Sequence, residues 1–127
     1  MQSDQPLTGL RVLVVEDEYF LADDIEQILK AHGAEIVMLS GTVADAISRI
    51  KADGFEVALL DINLRGEMAY SAADELKQRE VPFGFITGYD KQAIPERFST
   101  IPYWSKPYDG RQLVNDVQRI WSRPASS

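Results

Sequence analysis

The sequence predicts an α/β domain built on a doubly wound, five-stranded parallel sheet with helices on both faces. Three observations lead there. Short, wholly apolar runs such as Val12-Leu13-Val14-Val15 and Val57-Ala58-Leu59-Leu60 recur along the chain, and runs of that length without alternation read as strands buried on both faces. Segments with apolar residues at helical spacing separate them. The strand–helix unit repeats about five times with short connections, which calls for right-handed crossovers and parallel strands.

Met1 to Thr8 is polar around one proline and is expected to be a loose lead-in. Arg11 to Val15 is the first strand and ends in Glu16-Asp17-Glu18. Leu21, Ile25, Ile28 and Leu29 then mark one face of a helix, stopped at His32-Gly33. Ile36 to Leu39 is a second strand. Thr42-Val43-Ala44-Asp45 reads as a capping box before a helix with Ala46, Ile47 and Ile50 inward. Asp53-Gly54 turns into the central strand, Val57 to Leu60, which stops at Asp61. After Asn63-Leu64-Arg65-Gly66, a helix carries Ala69, Ala72, Ala73 and Leu76 toward the core. Phe83 to Ile86 is the fourth strand, ending at Thr87-Gly88. Pro95 and Pro102 limit any helix between Tyr89 and Thr100 to a turn or two. Tyr103-Trp104-Ser105 is a last short strand, with Trp104 facing the layer opposite to Tyr103. Asp109 caps a closing helix with Leu113, Val114, Val117, Ile120 and Trp121 on its buried face. One domain, residues 9–122, is expected, with flexible termini at 1–8 and 123–127 and no linker or repeat.

Composition narrows the function. The 127 residues are 45% hydrophobic and 26% charged, with a net charge of −7. That balance argues against nucleic-acid backbone binding, which needs a basic face, and favours basic protein patches as partners. There is no cysteine, which excludes disulfides, zinc–thiolate sites and thiol chemistry. No apolar run approaches membrane-spanning length and no signal-peptide core is evident, so the expectation is a cytoplasmic protein without membrane contact.

Strand ends carry the chemistry. The first offers Glu16 and Asp17, the third Asp61, the fourth Thr87 and the fifth Lys106. In a parallel sheet these ends point the same way and converge on one cleft. Three close carboxylates resist ionisation unless positive charge intervenes. Lys106 supplies one such charge, and an all-oxygen cluster suits Mg2+. A hydroxyl and an ammonium opposite that cluster make a clamp for phosphoryl oxygens. With no Cys, no triad and the sole His (His32) at a helix end, an aspartate is the available nucleophile, and carboxylates do form acyl phosphates.

Taken together, the acidic pair, Leu59-Leu60-Asp61-Ile62-Asn63-Leu64, Thr87 and Ser105-Lys106-Pro107 resemble the response-regulator receiver domain of two-component signalling, over essentially the whole chain. Val81-Pro82-Phe83-Gly84-Phe85-Ile86-Thr87-Gly88-Tyr89, followed by Ile94-Pro95-Glu96-Arg97-Phe98, resembles the "FATGUY" subgroup of receivers, which has a reduced fourth helix. Ile86 stands where the subgroup name has Ala. Glu16 replaces the commoner Asp, and Arg65-Gly66 lacks a proline frequent in that loop.

The resemblance implies a flavodoxin- and CheY-like strand order, 2-1-3-4-5, and makes Asp61 the phosphoacceptor. It implies that Asp17 binds Mg2+ directly, Glu16 largely through water, and Asn63 through its backbone carbonyl. Thr87 and Lys106 would bind phosphoryl oxygens, and Tyr103 takes the position of the switch aromatic. Pro107 takes a position where a cis peptide is common. Asn63 and Tyr89, two positions beyond Asp61 and Thr87, either tune water access or are neutral. Asp23, Asp24 and Glu26 read as a solvated helix face.

The expected function is therefore that of a single-domain response regulator. It would take its phosphoryl group from a histidine kinase or histidine phosphotransferase, in a stress-response phosphorelay such as those of alphaproteobacteria. It would signal by phosphorylation-dependent protein binding, catalysing only its own phosphorylation and dephosphorylation, as a monomer with a phosphorylation-dependent dimer left open. A phosphate sink is the alternative within the family. A haloacid-dehalogenase-type phosphatase would want a second aspartate where Asn63 stands. A flavin or nucleotide binder would want a phosphate loop where Glu16-Asp17-Glu18 stands.

Overall fold

A strand apolar at every position finds both its faces covered only in the middle of a two-layered α/β sheet. β1 (Arg11–Val15) and β3 (Val57–Leu60) are such strands, and they lie side by side at the centre of the fold. The structure, a computed structural model, describes residues 5–88, 93–106 and 108–122. Around the central pair the chain adds β2 (Ile36–Ser40), β6 (Phe83–Thr87) and β7 (Tyr103–Ser105) in the order β2-β1-β3-β6-β7, all parallel. Counted over these five strands this is the expected order 2-1-3-4-5.

Period-two alternation sorts the strand side chains into two layers. Leu13, Val15, Ala58, Leu60, Phe83 and Phe85 meet α2 (Val43–Ala52) and α3 (Tyr70–Gln78) through Ala46, Ile50, Ala72, Ala73 and Leu76. Val12, Val14, Val57, Leu59 and Ile86 meet α1 (Tyr19–Ala31) and α4 (Gly110–Ser122) through Ile25, Leu29, Leu113, Val117 and Ile120. Trp104 lies in this second layer and Tyr103 packs on the first, as alternation along β7 requires.

Local signals placed the helix ends. Thr42 Oγ1 accepts from Asp45 N–H at 3.1 Å, while the Asp45 carboxylate accepts from Ser40 Oγ and Arg49 Nε. Asp109 Oδ1 accepts from the N–H groups of Arg111 and Gln112. Gly33 follows α1 at φ 107°, a conformation that glycine adopts without a Cβ penalty.

Three features depart from the sequence expectation or go beyond it. Leu7 is wholly buried and its N–H donates to His32 O at 2.9 Å, so the loose lead-in does not extend to residue 8. One leucine side chain against the end of α1 removes enough apolar surface, about 2 kcal/mol, to order its neighbours. Second, a small hairpin of β4 (Asn63–Leu64) and β5 (Glu67–Met68) precedes α3 where only a loop was expected. Arg65 and Gly66 both take positive φ, 53° and 89°, the two-residue turn whose twist matches antiparallel strands. Asn63 Oδ1 accepts from Gly66 N–H at 2.7 Å and closes it. Third, Gly84 in β6 lies under the Trp104 indole, and a Cβ there would sit 2.2 Å from Cζ3.

Between β6 and β7 the described residues include the 3-10 turn Glu96–Phe98, in keeping with a reduced helix. So short a turn cannot hold itself. Phe98 anchors it, 1% exposed, stacked on Tyr70 and edge-on to Phe85. Arg97 adds a two-pronged pair to Asp74 of α3. Tyr89 and Pro107 lie outside the described residues. No described helix is long and apolar enough to cross a membrane.

Candidate functional site

Register brings the strand ends together. Val15 pairs with Leu60, Leu60 with Phe85 and Thr87 with Ser105, so the residues that follow share one edge of the sheet. Backbone bonds continue that register one step: Asp61 N–H donates to Val15 O, Glu16 N–H to Ser40 O and Lys106 N–H to Thr87 O, at 2.8 to 2.9 Å. Each functional side chain therefore starts from a fixed backbone position.

Lys106 is the centre of the cluster. Its Nζ lies 3.0 Å from Asp61 Oδ2, 3.1 Å from Glu16 Oε1 and 3.2 Å from Glu18 Oε2. Burial opposes its charge, but the Asp61 and Glu16 carboxylates beside it outweigh that and raise the lysine above its ordinary range. Glu16 is 5% exposed, and burial pushes it up to about 7, helped by the Asp61 charge and opposed by the N–H of Glu18. Asp61 Oδ1 also accepts from Asn63 N–H at 3.3 Å. Thr87, 1% exposed, lines the same depression as Asp17, Asp61, Asn63 and Lys106. The structure thus unites Glu16, Asp17, Asp61, Asn63, Thr87 and Lys106. Tyr103 is half-buried against the α2/α3 layer, and its hydroxyl accepts from Ser105 Oγ at 3.4 Å.

The donor set fits a small hard cation. Glu16, Asp17 and Asp61 each offer a carboxylate oxygen, all within 4.8 Å of one another. Glu16 Oε1 is buried and, though close to Lys106, has no aligned hydrogen bond. Oxygen ligands with excess negative charge are what Mg2+ takes; when bound, it would neutralise that excess and hold phosphoryl oxygens.

Other participants escaped the sequence reading. Glu18 reaches Lys106, 88 positions away in the chain. Arg65, carried on the hairpin turn, points its Nε toward Asp17 Oδ2 at 3.8 Å. Tyr108, two residues beyond the lysine, donates to Asp24 Oδ2 at 2.6 Å, so Asp24 is more than a solvated helix face. Only the apolar stretch Tyr19-Phe20 carried a local signal: these rings are 72% and 85% exposed, beside a depression that includes Leu21, Lys106 and Tyr108.

Over residues 12–118 the chain matches the response regulator receiver domain family. It belongs to that family. Among curated relatives, the sensory transduction protein RegX3 of Mycolicibacterium smegmatis is 28% identical over 120 residues, covering 91% of this chain and 52% of that protein. The chain spans about half the length of the curated relatives it matches. Among solved structures, SdrG from Sphingomonas melonis Fr1 is 32% identical, with a TM-score of 0.74 over 91% of this receiver and 97% of that chain. The response regulator PhyR from Brucella abortus is 28% identical, with a TM-score of 0.73 over 91% of this receiver and 49% of PhyR.

Proposed function

We propose that Asp61 accepts a phosphoryl group from the phosphohistidine of a histidine kinase or histidine phosphotransferase, and that another protein reads the resulting charge. The observation that carries this is the Asp61 carboxylate held 3.0 Å from Lys106 with Glu16 and Asp17 at its side. A carboxylate oxygen of Asp61 attacks phosphorus in line. The P–N bond breaks and its electron pair leaves with the imidazole. Lys106 and Thr87 bind phosphoryl oxygens as charge develops on them. The acyl phosphate is later hydrolysed in the same cleft, and the domain acts on no other substrate.

The signal is a change of charge at one buried position. Thr87 moves toward the phosphoryl group and Tyr103 follows into the space beside β6, biasing a two-state equilibrium of the β6–β7 side. Phe98, packed on Tyr70 and Phe85, and the Arg97–Asp74 pair tie the short turn before β7 to α3 and β6, which supports counting that turn among the elements that respond. The Phe83-to-Tyr89 pattern and the 3-10 turn in place of a full helix support membership of the FATGUY subgroup. Exposed Tyr19 and Phe20 beside Lys106 favour protein partners at this edge, since large exposed aromatics mark contact surfaces.

The test is intact mass after incubation with a small phosphodonor and magnesium. One hydroxylamine-labile phosphoryl adduct is expected, absent in Asp61→Asn and absent with EDTA. An unmodified native chain that is folded by circular dichroism, with either a small donor or a phosphorylated histidine phosphotransferase, would remove the reading.

A further inference from the structure

Glu18 occupies the N-cap position of α1, where a short polar side chain commonly accepts from the first-turn N–H groups. The Glu18 side chain makes no cap bond. It turns instead to Lys106, with Oε2 3.2 Å from Nζ. Its own N–H is fixed by Glu16 Oε2 at 3.1 Å, which aims the residue at the cleft.

An ammonium has three N–H groups to give. Lys106 gives hydrogen bonds to Asp61 and Glu18 and sits 3.1 Å from Glu16. A phosphoryl oxygen that takes Lys106 competes for the ammonium with these three carboxylates. Asp61 is the point of attachment. The Glu16 side chain is 2% exposed, and losing its cation would leave a buried charge unpaired. Glu18 is 65% exposed, so water can replace the lysine at little cost.

We infer that Glu18 is a positioning residue acting through Lys106: it holds the ammonium while Asp61 is bare and must release it when the phosphoryl group arrives. It is therefore a brake on phosphoryl acceptance, resting on Asp61 as the acceptor. Its negative charge adds to the brake, because the donor that must enter the cleft is itself an anion.

The experiment compares the native protein with Glu18→Gln, which keeps the length and loses the charge. Glu35→Gln, an exposed change just before β2 at the far end of the sheet, matches it in net charge. Adduct formation with magnesium is followed for acetyl phosphate, a dianion at neutral pH, and for phosphoramidate, a monoanion. Glu18→Gln is expected to accept phosphoryl groups about threefold faster from the dianion and less than twofold faster from the monoanion, the modest factor reflecting a solvent-screened charge. Glu35→Gln should match the native protein with both. Equal rates for Glu18→Gln and the native chain, or the same acceleration in Glu35→Gln, would overturn the inference.

A second readout needs no donor. The 15N and 1H signals of the Lys106 ammonium should move in Glu18→Gln and stay in place in Glu35→Gln. If they do not move, Glu18 does not hold the lysine. Failure of the native chain to take any phosphoryl group would instead count against Asp61 as acceptor, while the NMR comparison still decides the contact.

Discussion

β1 and β3 are neighbours along their whole length, yet their two ends handle charge in opposite ways. At the amino ends, Arg11 opens β1 and Glu56 stands just before β3, and they pair one for one. Arg11 N–H donates to Oε1 at 2.8 Å and its Nε to Oε2 at 2.9 Å. The Arg11 hydrogen bond holds Glu56 below the usual carboxylate range. At the carboxyl ends of the same strands, Glu16, Asp17 and Asp61 converge and Glu18 joins them, with Lys106 among them and Arg65 only at 3.8 Å. Burial leaves Glu16 at about 7. One end is a fastening. The other carries an excess of like charge that stability alone would remove, and such excess marks a place where the fold serves chemistry.

The contrast can be broken most sharply at Lys106, its only short-range cation among the described residues. Lys106→Met should cost about 2–4 kcal/mol, because it strands buried carboxylates without a partner; urea denaturation measures it. Asp61→Asn should move the same midpoint the other way, a gain of about 1 kcal/mol, as one like charge leaves the cluster while Asn can still bond to Lys106. A loss there would mean that the Lys106–Asp61 pair outweighs the repulsion. Magnesium at several times its dissociation constant should raise the midpoint of the native protein by about 1 kcal/mol. That gain should vanish in Asp17→Asn.

At the amino ends the effects are smaller. Glu56→Gln should lower the melting temperature by about a degree or two, as expected of a solvent-screened pair. The pH dependence has a definite sign. Glu56 is depressed from its ordinary value of 4.5 on folding, so its contribution is complete above the unfolded value and disappears as pH falls through the lowered folded value. The melting difference between native protein and Glu56→Gln should therefore be constant near neutrality and close in acid. A difference that instead grew in acid would show that Glu56 is not held by Arg11.

Much of this was legible before any coordinates. β1, β3 and β6 are apolar runs cut off by polar residues, so Glu16-Asp17, Asp61 and Thr87 announce their own positions, while Lys106 is marked by Ser105-Lys106-Pro107 after a three-residue strand. Elements defined by two residues do not. Asn63–Leu64 and Glu67–Met68 are too short to show alternation, and only the Arg65-Gly66 turn between them held a signal. Leu7 was invisible as one apolar residue beside a proline. Glu18 was grouped with its acidic neighbours because its partner lies on another strand, and side-chain reach across a cleft leaves no periodic trace.

The slot over Gly84 has a consequence for how this sequence can change. A methyl group at 84 would meet Cζ3 of Trp104 at 2.2 Å and Cη2 at 2.7 Å. The indole cannot swing aside without giving up its 2.8 Å bond from Nε1 to Asp116 Oδ2 on α4. Positions 84 and 104 therefore form one mutational unit in which order matters. Gly84→Ala is barred while the tryptophan stands, and becomes permitted once Trp104→Leu has opened the slot. A route to a larger residue in β6 must pass first through a smaller one in β7, at the temporary cost of the tie to α4.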